Sequence, residues 1–256
     1  LSGVIGLSLL AFNALAETKI DHLQGSQNFV SVPQKVISFD LASLDTMDSI
    51  GVDVYGLPKD FANGHLSKFK DEKYVNVGSL FEPDYEVVAA SEADLVIVSG
   101  RSSTAYDGLS DIAPTIDLTI GSENFLSQFK ATSRKLASIF HKEEILESQL
   151  SLFDEKVNEV KSLAKNAGNA LFILTNGGKI TAYGSGSRFG WLHDDLGIEP
   201  AIKNIKEANH GDPISFEFIL DANPDWIFVL DRDAAIGRSQ GAAKTRQGCD
   251  QTAIAV

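Results

Sequence analysis

The amino-acid sequence predicts an α/β protein of two lobes, each built on a mainly parallel sheet, joined by one long α-helix. Three observations predict this. Short apolar runs alternate with helix-like stretches, the rhythm of helices packed on a parallel sheet. The rhythm stops between Ser122 and Asn166, where there is no strand signal, and then resumes. One module occurs on each side of that gap: EVVAASEADLVIVSGR from Glu86 to Arg101, and EFILDANPDWIFVLDR from Glu217 to Arg232. In both copies a Glu opens a helix-like stretch, an Asp (Asp94, Asp225) precedes an apolar strand and an Arg closes it, at identical spacing.

The elements follow in order. LSGVIGLSLLAFNALAETKI begins with an apolar run and continues through Ala14-Leu15-Ala16, the h-region and A-x-A site of a secretory signal peptide. Residues 1–16 are therefore expected to be part of such a peptide, too short to span a bilayer. No Cys lies near the cleavage site, which argues against a lipid anchor, so the mature chain is expected to be soluble and periplasmic. After a polar lead-in, VPQKVISFD places a strand at Val36 to Phe39, LASLDTMDSIG a helix ending at Gly51, and VDVYGLP a strand stopped at Pro58. A helix from Pro83 to Ala90 and a strand from Leu95 to Val98 make up the first module. In the middle section Leu146, Leu150, Phe153, Val157 and Val160 recur at steps of four, three, four and three, one face of a helix that Gly168 stops. A helix over 142–166 is about 37 Å long at 1.5 Å per residue, enough to brace two lobes. Beyond it ALFILT and KITAYG flank the hairpin turn Asn176-Gly177-Gly178, RFGWLHDDLGI reads as a helix, and the second module ends in a strand from Trp226 to Leu230. The lobes are thus expected at 30–141 and 168–256, with 142–167 between them.

Bulk composition narrows the function. A net charge of −13 over 256 residues argues against a nucleic-acid partner and requires any anionic ligand to be held by a local cationic cluster. Cys249 is the sole cysteine, so neither an intramolecular disulfide nor a Cys-based zinc site can form. The phosphate-loop, zinc-protease and nucleophile-elbow motifs are missing, and GSGSRFG is a poor dinucleotide loop because it follows a hairpin. No Ser or Cys has an evident base, so the chain is not expected to be an enzyme.

The arginines carry the strongest signal. Ligands of open parallel sheets sit outside the carboxyl ends of the strands, where Arg101 and Arg232 fall, one per lobe. Arg188 joins them from the Gly- and Ser-rich GSGSRFG loop. Three guanidinium groups with planar forked donors suit a bulky, delocalised anion rich in oxygen acceptors. The competing expectation is that each arginine pairs with a nearby carboxylate such as Asp231 or Asp233. His210, in the loop ANHGDPISF, is either a solvated side chain or a neutral metal ligand. His22, His65, His141 and His193 show no metal-ligand spacing. Glu86 and Glu217 each open a helix, where the dipole alone is reason enough for a carboxylate.

Four stretches, VPQKVISFDLASLDTMDSIG, DLVIVSGRSSTAYDGLSDIAPT, SRFGWLHDDLGI and HGDPISFEFILDANPDWIFVLDR, together resemble the periplasmic binding proteins of ferric catecholate-siderophore importers. The resemblance runs from about Val32 to Gly237 and is closest to the petrobactin- and enterobactin-type branch. It implies two lobes on one long helix with the ligand in a shallow cleft between them. It also implies that Arg101, Arg188 and Arg232 hold a trianionic ferric tris-catecholate, and that His210 ligates iron when the siderophore fills only four of its six sites. Glu86 and Glu217 would dock on arginines of the inner-membrane ABC permease. The protein would work as a monomer with no intrinsic cofactor, its ligand being the Fe(III)-siderophore complex. Where the family continues with a helix, a strand, a tyrosine-bearing loop and a closing helix, this sequence reads RSQGAAKTRQGCDQTAIAV after DRDAAIG. The second lobe is therefore expected to be incomplete, with an exposed sheet edge and without the iron-ligand tyrosine. Two other functions compete: a haem or corrinoid receptor of the same fold, and a phosphate-ester hydrolase using His210 and Asp212.

Overall fold

The computed structural model describes residues 17–205 and 211–235; residues 1–16, 206–210 and 236–256 lie outside the described residues, and with them the signal-peptide segment, His210 and Cys249. The chain opens with an antiparallel hairpin, β1 (Thr18–His22) and β2 (Gly25–Phe29). The polar lead-in of the sequence is thus a strand pair. Only Ile20 and Phe29 of it are buried, too few apolar positions to show an alternation.

The first sheet comprises β3 (Val36–Ser38), β4 (Gly56–Leu57), β5 (Val75–Asn76), β6 (Leu95–Val98) and β7 (Thr115–Asp117), in the order β5-β4-β3-β6-β7 with every pair parallel. Both faces of such a sheet must be covered, which is why β6 is apolar throughout. Leu95 and Ile97 pack with Leu44 and Met47 of α1 (Leu41–Ser49). Val96 and Val98 point the other way, into a cluster with Val88 of α2 (Tyr85–Ser91) and Leu109 of α3 (Tyr106–Ser110). The run VDVYGLP yields only the two residues of β4, and Gly56 is pressed against its neighbours: a Cβ there would lie 2.9 Å from Val77 Cγ1 and 3.2 Å from the Val75 carbonyl.

The middle section folds as α4 (Phe125–Phe140) and α5 (Glu143–Ala164), the latter 22 residues long. Leu146 and Leu150 of α5 are buried with Ile50 and Ala137. Bidentate Arg134–Glu147 hydrogen bonds and the Lys130–Asp154 pair tie α5 to α4, and Gln149 bonds Ser49 at the end of α1. The end of the predicted stripe behaves differently: Val160 is 37 % exposed, and Leu163, beyond the stripe, is 67 % exposed. Periodicity identifies a helix face, not what covers it.

The second sheet is mixed, as the Asn176-Gly177-Gly178 turn requires. β8 (Asn169–Asn176) and β9 (Lys179–Tyr183) form the hairpin, α6 (Trp191–Asp194) is a single turn, β10 (Glu199–Pro200) runs parallel to β8, and β11 (Asp212–Pro213) pairs antiparallel with β9. After α7 (Phe216–Ala222), β12 (Trp226–Asp231) runs parallel to β8 over six residue pairs and leads into α8 (Arg232–Ala235). Among the described residues β12 pairs only with β8, whereas its counterpart β6 is flanked by β3 and β7. The stretch RFGWLHDDLGI gives only α6 because the loop before it folds back on it. Asp194 Oδ2 accepts from the Gly186 N–H at 2.7 Å, and a Cβ on Gly190 would meet that same oxygen at 2.8 Å.

The two module copies use the same devices. Asp84 caps α2 by accepting from the Val87 N–H, and Ser215 caps α7 by accepting from the Phe218 N–H. Six residues after the Glu, Glu92 and Asn223 end the helices in the left-handed conformation. Asp94 Oδ2 accepts from the backbone of Gln34 and Lys35 at 2.8 Å each, and Asp225 Oδ2 from that of Asn169 at 2.8 Å. The matched aspartates therefore fasten the start of the neighbouring strand and have a structural role.

Candidate functional site

Both module strands end at one cleft of about 590 Å³. Arg101, just past β6, Arg188, in the loop after β9, and Arg232, just past β12, all line it. Against these three positive charges the lining contributes one carboxylate among the described residues, Asp60, so this part of the cleft is cationic in a protein whose net charge is −13. Partial burial, and then the charges of Arg188 and Arg232, hold the Arg101 pKa below its ordinary value.

Each arginine has its own support. Arg101 sits in a 3₁₀ turn, Gly100–Ala105, that a hydrogen-bond network fixes to the sheet. Gly100, at φ 53°, donates its N–H to Thr119 Oγ1 at 2.7 Å, and the Thr119 hydroxyl donates to Asp117 Oδ1 at 2.6 Å. Ser103 donates a short hydrogen bond to Asp117 Oδ2, Gln24 Nε2 donates to the same oxygen at 3.1 Å, and the Ser102 hydroxyl donates to the Phe39 carbonyl at 3.1 Å. Asp117 is only 1 % exposed. Burial pushes its pKa up, but the hydrogen bonds from Ser103, Thr119 and Gln24 outweigh that and hold it below the usual carboxylate value.

The Arg188 guanidinium lies 5.1 Å from the centroid of the Phe189 ring, which is itself stacked on Phe172 at 4.9 Å. Arg232 donates from Nη1 to Asn176 Oδ1 at 3.1 Å. The carboxylates that the sequence offers as partners are engaged by backbone: Asp233 accepts from the Gly177 N–H at 2.7 Å, and Asp231 from the Ala234 N–H at 3.1 Å. None of the ion pairs among the described residues includes Arg101, Arg188 or Arg232.

Glu86 and Glu217 are exposed in the first turns of α2 and α7. Glu217 accepts from its own N–H and from the Ser215 hydroxyl, which lowers its pKa. His210 lies outside the described residues, so its predicted role as an iron ligand has no geometry here. The sequence reading missed the aromatic part of the site. Phe61 and Phe81 line the cleft from the first lobe and Phe189 from the second. Of these only Phe189 had a sequence signal, its place beside Arg188.

Two α/β halves and a cleft at the strand ends accord with the sequence profile described as periplasmic binding protein, which matches residues 36–249. The chain belongs to that family. Over 210 residues it is 45 % identical to the petrobactin-binding protein YclQ of Bacillus subtilis, an alignment covering 81 % of this chain and 66 % of that protein, so the chain spans just under two thirds of this relative's length. The crystal structure of YclQ superposes with a TM-score of 0.87 at 41 % identity, over 92 % of this chain and 84 % of the crystallised one. The periplasmic catecholate-siderophore binding protein VctP of Vibrio cholerae superposes with a TM-score of 0.84 at 31 % identity, over 91 % and 85 % of the two chains.

Proposed function

We propose that this protein captures a ferric catecholate siderophore outside the cytoplasm and delivers it to an ABC permease for iron uptake, without catalysing a reaction. The observation that carries the proposal is the convergence of Arg101, Arg188 and Arg232 on one cleft. Fe(III) held by three doubly deprotonated catecholates has a net charge of −3, which three guanidinium groups match. Such a cluster is costly without its anion because like charges repel, and a cleft open to water keeps that cost tolerable. The relatives' names, a petrobactin-binding and a catecholate-siderophore binding protein, support the same class.

In this reading residues 30–141 and 168–256 are the two lobes, residues 142–167 the brace, and residues 1–16 an export signal. No helix among the described residues is long and apolar enough to cross a membrane. Glu86 and Glu217 dock on the permease, and His210 completes the coordination of iron when the siderophore supplies only four donors. Three arginines favour a trianionic chelate over haem or a corrinoid. The hydrolase reading would need His210 beside Asp212, and no observation supports that.

The test is a titration of the purified chain with a ferric tris-catecholate, followed by tryptophan fluorescence, with the iron-free ligand as control. Trp191 is the nearer reporter, three residues from Arg188, whereas Trp226 begins β12 roughly 17 Å of strand before its end. Saturable quenching that Arg232→Ala weakens by about tenfold, the loss of one charge-assisted contact, is expected. A folded chain that shows no quenching would refute the proposal.

A further inference from the structure

We infer that Phe81, backed by Phe61, forms an aryl-recognition subsite that makes the cleft select iron chelates bearing aromatic rings over equally charged chelates without them. The inference rests on the receptor reading above and adds the basis of its selectivity.

The loop Gly78–Pro83 is built to put one ring on display. Its base is closed by a bridge between Gly78 and Pro83, and the Asp84 N–H donates to the Val77 carbonyl at 2.9 Å. Its tip is fixed by Ser79, whose N–H donates to the Glu82 carbonyl at 3.0 Å and whose Oγ accepts from the Phe81 and Glu82 N–H groups at 3.2 and 2.9 Å. Gly78, at φ 98°, permits this closure, since a Cβ there would stand 2.6 Å from the Glu82 carbonyl oxygen. These bonds fix which of the loop's two large apolar residues faces inward. It buries Leu80, 7 % exposed, and leaves Phe81 61 % exposed.

A single exposed apolar ring is ordinary, but this one lies beside a second aromatic ring at a cationic cleft. The ring borders the same cleft as the three arginines. Phe61 meets it edge to face, with centroids 6.4 Å apart at 63°, and so supports it from one side. Phe61 is itself placed by the 3₁₀ turn Lys59–Phe61, where Lys59 Nζ donates to the carbonyls of Asp71 and Tyr74 at 2.8 and 3.2 Å. The cleft therefore offers two kinds of contact at once, guanidinium groups for an oxygen-rich anion and an aromatic lip for flat apolar faces. A chelate whose charged oxygens are carried on aryl rings satisfies both. A chelate of small carboxylates satisfies only the first.

Two probes of equal charge separate these contributions: the Fe(III) complex of a tripodal tris-catecholamide, and inert tris(oxalato)chromate(III), both −3 and only the first aromatic. Their affinities would be measured by calorimetry on wild type, Phe81→Ala, Phe81→Leu and Arg101→Ala, with a thermal melt of each. Phe81→Ala is expected to weaken the catecholate complex by about tenfold, the scale of one lost aromatic stack, and to leave the oxalate complex unchanged. Phe81→Leu should fall between, and Arg101→Ala should weaken both probes. Equal effects of Phe81→Ala on the two probes, no effect on either, or full affinity in Phe81→Leu would overturn aryl recognition while the receptor reading stands. Failure of the wild type to bind either probe would remove the receptor reading and this inference with it.

Discussion

Arg101 depends on a hydroxyl that never touches the cleft, and Thr119→Val exposes that dependence. Valine keeps the shape of threonine and removes both hydrogen bonds of Oγ1, the one accepted from Gly100 N–H and the one donated to Asp117. Gly100 is exposed, so water can replace its partner at small cost. Asp117 is buried, and losing a hydrogen bond to its carboxylate costs about 2 kcal/mol. For a chain of this size that lowers Tm by about 4–8 °C. The turn carrying Arg101 then keeps its links through Ser102 and Ser103 but loses its first anchor. Affinity for a ferric tris-catecholate should fall by about threefold, within the range of coupling between residues of one network. The assay is a double-mutant cycle with Arg101→Ala, read by fluorescence titration. If Thr119 acts by positioning Arg101, its effect on affinity vanishes once Arg101 is alanine, while the Tm loss remains. An equal loss of affinity in both backgrounds, or a fall in Tm with affinity untouched, refutes the reasoning.

Two further predictions follow from the same network and from the duplicated module. The Asp117 carboxyl is held below its usual pKa in the folded chain, so its stabilising contribution is present above about pH 4, the unfolded value, and is lost as pH falls through the lower folded value. In urea unfolding across a pH series, the gap between wild type and Asp117→Asn should be widest near neutrality and close in acid; a gap independent of pH contradicts this. Asp94→Ala removes two backbone hydrogen bonds at the start of β3 and should cost about 1–2 kcal/mol in thermal unfolding. It should leave siderophore affinity unchanged, and a selective loss of binding would show that the matched aspartates serve the ligand.

The parts of this protein legible in its sequence are those where one residue type has one physical use. β6 is fully apolar because both of its faces are covered, and α5 shows its stripe because Leu146 and Leu150 face α4 and α1. Arg101 and Arg232 could be placed at a shared site because equal spacing from an apolar strand puts them at equivalent strand ends. What stayed hidden depends on contacts distant in sequence. Asp117 bonds Gln24 across 93 residues, and the hairpin that supplies Gln24 has two buried apolar side chains and no readable alternation. Phe81 gives no signal either, since a phenylalanine near a glycine is ordinarily core, and only the hydrogen bonding around Ser79 shows that the loop turns it outward. RFGWLHDDLGI misled in the opposite sense: its apolar spacing suits a helix, but the Gly186–Asp194 bond limits the helix to one turn.

The way the arginines are restrained bears on how such a cleft can bind and still release an anion. A carboxylate partner would place each guanidinium firmly, but it would also cancel the charge that the ligand needs and would have to be displaced on binding. Here a turn anchored through Thr119 and Ser103 to the buried Asp117 places Arg101, an aromatic face supports Arg188 and an amide oxygen orients Arg232. None of the ion pairs among the described residues takes up these guanidinium groups. Burial, and after it the charges of Arg188 and Arg232, lower the pKa of Arg101, and a polyanion relieves that repulsion without an exchange of partners. Because the three side chains are exposed, water and salt screen both the repulsion and the attraction. The cleft therefore combines fixed geometry with moderated charge, an arrangement suited to cargo that must be held in transit and then given up.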